Sequence, residues 1–141
     1  MDEKRILAKI DELDSYRKEL EEIMPQEYED YVSSTETKRA CERLLHIMIE
    51  TVIDICNLIV KELKLGLPGE EEDFFNKLQK KGILSRSLVG KLKSMKGFRN
   101  ILVHRYDEVD DELVFRFLRK NLGDFDSFRK EIIAFLEKFK G

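Results

Sequence analysis

Apolar residues recur along this chain every three or four positions, the spacing that places them on one face of an α-helix. Strand-type alternation of apolar and polar residues is hard to find. Pro25, Gly66, Pro68 and Gly82 interrupt the helical pattern and divide it into separate segments. The pattern predicts helices over residues 2–22, 34–65, 70–80, 86–104 and 111–122, and a last helix that Asp124 caps and that carries Phe125 to Phe139. Because the connections are short, we expect an all-α fold, an antiparallel bundle of five to six helices.

The second predicted helix is apolar around most of its circumference. Its apolar residues are Leu44, Leu45, Ile47, Met48, Ile49, Val52, Ile53, Ile55, Cys56, Leu58, Ile59 and Val60. A helix of this kind needs apolar neighbours on most sides. In a chain of 141 residues a second copy of the protein is a natural source of part of that cover, so we expect a homodimer.

The bulk composition limits the class of protein. The 141 residues fit one helical domain over residues 1–141, and a hydrophobic content of 42% excludes a wholly disordered chain. Charged residues reach 39%, but the formal net charge is only −3. A nucleic acid would therefore be bound by a local basic patch rather than by the charge of the whole protein.

The sequence carries no evident membrane or secretion signal. No run approaches the roughly 18 consecutive apolar residues of a membrane helix, and the charged segment 1–6 lacks the core of a signal peptide. Cys41 and Cys56 lie about 22 Å apart on one predicted helix, too far for a disulfide. We therefore expect reduced thiols in a cytoplasmic protein that does not associate with a membrane.

The candidate chemistry lies at the end of the fourth predicted helix. Arg99 interrupts an apolar stripe there, and a guanidinium keeps its charge when buried, so it needs an anion or a cleft. Asn100 and His104 are four positions apart and share one helix face. Together the three side chains offer a phosphate group a fixed cation, an amide and a titratable imidazole.

This set of side chains suits the cleavage of RNA by its own 2′-hydroxyl, which attacks the neighbouring phosphorus. His104 would transfer protons because imidazole titrates near neutrality. Arg99 would stabilise the charge that develops on the phosphoryl oxygens. With two histidines, no HExxH motif and no paired cysteines, the sequence indicates neither a metal site nor a cofactor.

A purely structural interpretation of the same residues stays open. Arg99 would then form an interhelical salt bridge, and His104 would interact favourably with the helix dipole at the carboxyl end. On a straight helix the two side chains also project about 140° apart. A distorted helix, the length of the arginine, or a second protomer would have to bring them together.

The segment Arg99-Asn100-x-x-x-His104-Arg105-Tyr106 resembles the Arg-x-x-x-x-His-x-Tyr motif of the HepT-like branch of the HEPN superfamily. The polar residue directly after the arginine also matches, as Asn100. The resemblance extends over most of the chain, from the charged first helix to the acidic turn after the motif. It implies a HEPN-like helical fold and a homodimer whose two motif copies face a shared cleft.

The resemblance also implies roles for individual residues. Arg99 and His104 would be the catalytic pair of an RNA endonuclease, with Asn100 orienting or binding. Tyr106 would be adenylylated by a partner antitoxin, a minimal nucleotidyltransferase of the MntA type. The added AMP would bring bulk and negative charge next to the catalytic pair and exclude RNA. From the sequence without the motif, Tyr106 would be an ordinary loop tyrosine.

A line of polar residues follows one face of the second predicted helix. Its members are Arg39, Arg43, His46, Glu50, Asp54, Asn57 and Lys61. One interpretation is that the line is the solvent face of an amphipathic helix. The other is that Glu50 or Asp54 pairs with Arg99 and lines the dimer cleft. The second hypothesis follows from their place within the apolar run, where carboxylates need partners.

The sequence thus favours a metal-independent ribonuclease toxin of a toxin–antitoxin pair. The alternative is a non-catalytic helical module that docks a nucleotidyltransferase or binds a nucleotide, and a purely structural dimer is a third interpretation. Lys91, Lys93 and Lys96 would form a basic rim for RNA, although solubility explains surface lysines equally well.

Overall fold

Seven α-helices make up the described part of the chain, and no strand occurs there. The computed structural model describes residues 1–67, 69, 71–104 and 109–140, and for residues 72, 104 and 140 it describes the backbone only. The helices are α1 (Glu3–Ile23), α2 (Tyr28–Val32), α3 (Thr35–Glu62), α4 (Glu71–Lys80), α5 (Arg86–His104), α6 (Asp111–Lys120) and α7 (Gly123–Lys140).

The prediction of an all-α bundle is confirmed, but the count of five to six helices is wrong within the described residues. The helix that the sequence did not predict is α2, whose five residues are too few to show a period of 3.6. Its existence depends on tertiary packing, because Tyr31 is fully buried and its ring lies 5.6 Å from that of Phe115 on α6. Local sequence cannot show a contact of that kind.

Three helix ends also differ from their predicted positions. Helix α3 ends at Glu62 rather than near residue 65, because Lys64 has a φ of 53° and Gly66 a φ of 122°. Helix α6 ends at Lys120, two residues early. Helix α7 begins at Gly123, so Asp124 lies in its first turn rather than capping it.

Helix α3 is the centre of the bundle and packs against α1, α2, α4 and α5. Ten of its twelve predicted core residues are buried within one chain, and Ile47 and Leu58 are half-buried. The cover that this helix needs therefore comes mainly from its own chain. The apolar surface of α3 therefore does not call for a second copy, and the homodimer stays a prediction.

Side-chain caps fix the starts of α1, α3 and α6. The carboxylate of Asp2 accepts from the backbone N–H of Arg5 at 3.2 Å, and the hydroxyl of Ser34 accepts from that of Thr37 at 3.2 Å. Asp110 caps α6 by accepting from the N–H groups of Glu112 and Leu113. Such caps satisfy N–H groups that have no partner inside the helix.

Both cysteines are buried and unbridged, as predicted. Burial, together with the nearby charge of Glu42, raises the pKa of the Cys41 thiol to about 11, so this thiol stays protonated at neutral pH. None of the helices in the described ranges combines the length and the apolar character that a membrane span requires.

Helix α5 lies against α3, α4 and α7, and this position places the candidate site. Its buried face carries Leu88, Val89, Leu92, Met95, Phe98 and Leu102. Phe98 also stacks on Phe117 of α6, with ring centroids 4.3 Å apart. The apolar packing thus holds the last turns of α5, which bear the candidate residues, at a fixed place on α3.

Candidate active site

Arg99 is the charged residue of the buried face of α5. It is 9% exposed and lies between Phe98 and Leu102, which are each 7% exposed. The sequence pattern predicted this position, since Arg99 continues the stripe of Leu92 and Met95. A guanidinium at such a place costs free energy unless its hydrogen-bond donors find acceptors.

All three nitrogen atoms of the Arg99 guanidinium have an oxygen partner. Nη1 donates to Oε1 of Glu50 on α3, and Nη2 donates to Oε2 of Glu71, the first residue of α4. Nε donates to Oδ1 of Asn100 at 3.0 Å. Arg99 therefore joins α3, α4 and α5 through one planar group.

The carboxylates keep Arg99 charged despite its burial. Burial lowers the pKa of the guanidinium, but the hydrogen bonds and charges of Glu50 and Glu71 outweigh that effect and raise the pKa above its ordinary value. The group is a permanent cation at any pH at which the protein is folded.

A histidine extends this cluster along α3. Nε2 of His46 lies 3.7 Å from Oε1 of Glu50, and Nδ1 of His46 lies 3.1 Å from Nη1 of Arg43. Because a guanidinium only donates, Nδ1 must be the acceptor, which assigns a neutral imidazole with its proton on Nε2. Burial lowers the pKa of His46, the charge of Glu50 raises it, and Arg43 and Arg99 lower it, with a net lowering.

Two carboxylates of the polar line on α3, Glu50 and Asp54, have different partners. Glu50 reaches Arg99, as one of the two sequence hypotheses has it. Asp54 does not, because its Oδ2 lies 3.9 Å from Nζ of Lys9 on α1 and half of its side chain is exposed. Of Glu50 and Asp54, it is Glu50 that pairs with Arg99.

Glu71 is the residue at this site that the sequence interpretation missed. The acidic run at residues 70–73 predicts a helix start favoured by the dipole, and α4 does begin there. Nothing in the local pattern distinguishes Glu71 from its neighbours. Its contact with Arg99 arises from the packing of α4 against α5.

The remaining candidates are placed in part. Asn100 is half-buried and holds Nε of Arg99. His104 is the last residue of α5, which runs without interruption from Arg86, and its side chain is outside the described atoms. Tyr106 lies outside the described residues. Of the lysines expected to form a basic rim, Lys91 has its Nζ 3.8 Å from Oδ1 of Asp124 on α7.

The described side chains include no group of three or more histidine, cysteine, aspartate or glutamate residues that could hold a metal ion.

A family model for HepT-like ribonucleases matches residues 13–132 of the chain. The chain belongs to the HepT-like ribonuclease family. The matched segment contains all of the candidate site residues named from the sequence, from Glu50 to Tyr106. The expected membership of the HepT-like family is thereby confirmed.

Individual HepT-like proteins resemble the chain in sequence. It is 33% identical to the tRNA nuclease HepT of Aphanizomenon flos-aquae over 108 residues, which cover 77% of this chain and 74% of that protein. It is 37% identical to the mRNA nuclease HepT of Shewanella oneidensis over 79 residues, or 56% and 59% of the two chains.

A solved structure extends the likeness to the fold. The tri-AMPylated HEPN toxin of Shewanella oneidensis, in complex with its MNT antitoxin, superposes with a TM-score of 0.86 at 28% identity. The superposition covers 95% of this chain and 99% of that toxin. The HepT-like fold is therefore shared over nearly the whole length of both chains.

Proposed function

We propose that this protein is an RNA endonuclease that acts without a metal ion as the toxin of a toxin–antitoxin pair. The observation that carries the proposal is the Arg99 guanidinium, a buried permanent cation five positions before His104 on one helix. The family and the two HepT nucleases that resemble the chain support the same activity.

The proposed reaction is an internal transesterification. The 2′-oxygen of the RNA forms a bond to the adjacent phosphorus, and the bond from phosphorus to the 5′-oxygen breaks. His104 transfers a proton, taking it from the 2′-hydroxyl or giving it to the leaving 5′-oxygen. Arg99 stabilises the charge on the non-bridging oxygens. The products would be a 2′,3′-cyclic phosphate and a 5′-hydroxyl.

The carboxylates around Arg99 would orient it for this role. A guanidinium has five N–H groups, and three of them are used by Glu50, Glu71 and Asn100. One hydrogen remains on each of Nη1 and Nη2, which is the pair that a phosphate group can accept. Asn100 would act as a positioning residue, because it fixes the Nε side of the group.

A homodimer is part of the proposal. Arg99 and His104 are five positions apart on one continuous helix, so their side chains leave the helix about 140° apart. A second copy that faces the first would bring each Arg99 close to a His104 of its partner. The resemblance to HepT-like proteins supports this arrangement.

The chemistry can be tested with short single-stranded RNA in the presence of EDTA. We expect cleavage to continue in EDTA and to leave 2′,3′-cyclic phosphate ends. A single 2′-deoxynucleotide on the 5′ side of a cleaved bond should stop cleavage at that bond, because the nucleophile is gone. Mass spectrometry of the fragments reads both results. Cleavage at the deoxynucleotide, or its loss in EDTA with recovery on added Mg²⁺, would contradict the mechanism.

We further propose that a nucleotidyltransferase of the MntA type is the antitoxin and adenylylates Tyr106. Tyr106 lies two positions after His104 in the sequence. An AMP group there would place a phosphate next to the proposed RNA phosphate site, and like charges repel. The AMPylated toxin of Shewanella oneidensis supports this form of control.

Tyr106→Phe tests the control separately from the reaction. With ATP and the nucleotidyltransferase, the wild-type protein should gain the mass of one or more AMP groups and lose its ribonuclease activity. The variant should cleave RNA at close to the wild-type rate and keep that rate after the same treatment. Equal inactivation of both proteins would show that another residue is the target.

A further inference from the structure

Arg43 is an arginine of α3 that has no carboxylate partner among the described residues. Its described side-chain contact is the hydrogen bond from Nη1 to Nδ1 of His46, at 3.1 Å. Its neighbour Arg39, one turn earlier, lies 2.8 Å from Oε2 of Glu42 and is neutralised by it. Exposed arginines on helices commonly pair with a carboxylate in this way. Arg43 instead contacts the neutral imidazole of His46, which does not cancel the charge of its guanidinium.

A cavity of about 160 Å³ lies against Arg43 and the end of α5. Its lining consists of Arg39, Glu42, Arg43, His46 and Leu102. Leu102 lies between Arg99 and His104 in the sequence, so the cavity borders the segment that carries the proposed reaction. The cavity can hold a group several times larger than a water molecule, which occupies about 30 Å³ in the liquid.

The cavity is connected to Arg99 through two side chains. Nε2 of His46 lies 3.7 Å from Oε1 of Glu50, and Glu50 accepts the hydrogen bond from Arg99. His46 and Glu50 thus link Arg43 to Arg99 in one continuous set of polar contacts. These two side chains separate the guanidinium of Arg43 from that of Arg99.

The net charge of Arg99 with its two carboxylate partners favours a further cation for binding RNA. Arg99 with Glu50 and Glu71 carries a net charge of −1, because two carboxylates surround one guanidinium. The whole chain is also acidic, with a formal net charge of −3. A polyanion gains most of its affinity from cations at the contact, and Arg43 is the cation that the cluster leaves uncompensated among the described residues.

We propose that Arg43, held by His46, binds a backbone phosphate of the RNA next to the one that is cleaved. The inference rests on the proposed ribonuclease function and adds a substrate-binding subsite to it. His46 is a positioning residue: its neutral imidazole accepts from Nη1 and fixes the guanidinium at the cavity. The remaining N–H groups of Arg43 donate to the phosphate oxygens.

Arg43→Gln and Lys61→Gln form a matched pair for the test. Each removes one positive charge from α3, and the exposed Lys61 lies 18 positions away, about 27 Å along the helix. Binding of a fluorescent single-stranded RNA is measured at several salt concentrations, with both changes made in the His104→Ala protein so that the RNA stays intact.

We expect Arg43→Gln to raise the Kd about five- to tenfold at 0.1 M salt and to reduce the salt dependence of log Kd by about 0.7. Lys61→Gln should leave the Kd within about twofold. With His104 present, Arg43→Gln should raise KM and leave kcat nearly unchanged, because the scissile phosphate itself still meets Arg99. Equal Kd values for the two variants would overturn the proposal.

Variants of His46 test the positioning role. His46→Asn keeps an acceptor near the place of Nδ1 and should keep the wild-type Kd, whereas His46→Ala should raise it. A wild-type protein that binds RNA through Arg43 but does not cleave it would contradict the proposed reaction and support the subsite. Cleavage with no effect of Arg43→Gln would do the reverse.

Discussion

Arg99→Ala is expected to abolish RNA cleavage and to lower the free energy of unfolding by about 1–2 kcal/mol. The loss of activity, at least about a hundredfold in kcat, follows from removing the donor that faces the phosphoryl oxygens. The loss of stability follows because Glu50 and Glu71 are left as unpaired carboxylates. Both are partly exposed, at 39% and 32% of the side chain, so the effect is smaller than for a fully buried pair.

Two companion variants separate these effects. Arg99→Lys keeps the charge but cannot hold both carboxylates in one plane, so it should recover part of the stability and little of the activity. Arg99→Ala combined with Glu71→Gln removes one of the unpaired charges and should recover stability with no recovery of activity. Urea unfolding and an RNA cleavage assay measure the two quantities. Cleavage by Arg99→Ala within tenfold of wild type would contradict the proposed role of Arg99.

His104→Ala is expected to lower kcat for RNA cleavage by about 10²- to 10⁴-fold while changing the free energy of unfolding by less than about 1 kcal/mol. The activity falls because the proton transfer loses its imidazole. The fold remains because His104 is the last residue of α5 and its replacement leaves the apolar packing of Met95, Phe98 and Leu102 in place. The pH profile of kcat should lose its limb near neutral pH.

The same variant distinguishes the nuclease from a binding module. A protein that only docks a nucleotidyltransferase or binds a nucleotide has no need of an imidazole at this position. Pull-down of the nucleotidyltransferase should be equal for His104→Ala and wild type, and a growth assay should show toxicity for the wild type only. Undiminished cleavage by His104→Ala would leave the proposed mechanism without its proton-transfer group.

The long helices were predictable because each shows several turns of the 3.6-residue period, and Pro25 and Gly66 mark the ends of α1 and α3. The five-residue α2 was not, since one turn and a half has no detectable period. The end of α3 was misplaced because Leu63 and Leu65 continue the apolar pattern although Lys64 has already left the helical conformation.

The site was predictable where its residues are local in sequence. Arg99, Asn100 and His104 lie within six residues, and their chemistry can be read without a fold. The choice of Glu50 over Asp54 depends on how α5 crosses α3, since both carboxylates lie on one helix face. The contact of Glu71 with Arg99 could not be predicted from the sequence either, because it depends on where α4 packs against α5.

The three-helix attachment of Arg99 has a consequence for how the protein is made. Glu50 and Glu71 lie 49 and 28 positions before Arg99 in the chain. Both carboxylates have therefore been translated when Arg99 leaves the ribosome, and the guanidinium takes its place when α5 docks on them. For the proposed toxin, this means that the catalytic cation is in place only after α5 has docked on α3 and α4. Translation arrest or proteolysis before α5 yields fragments that cannot cut RNA.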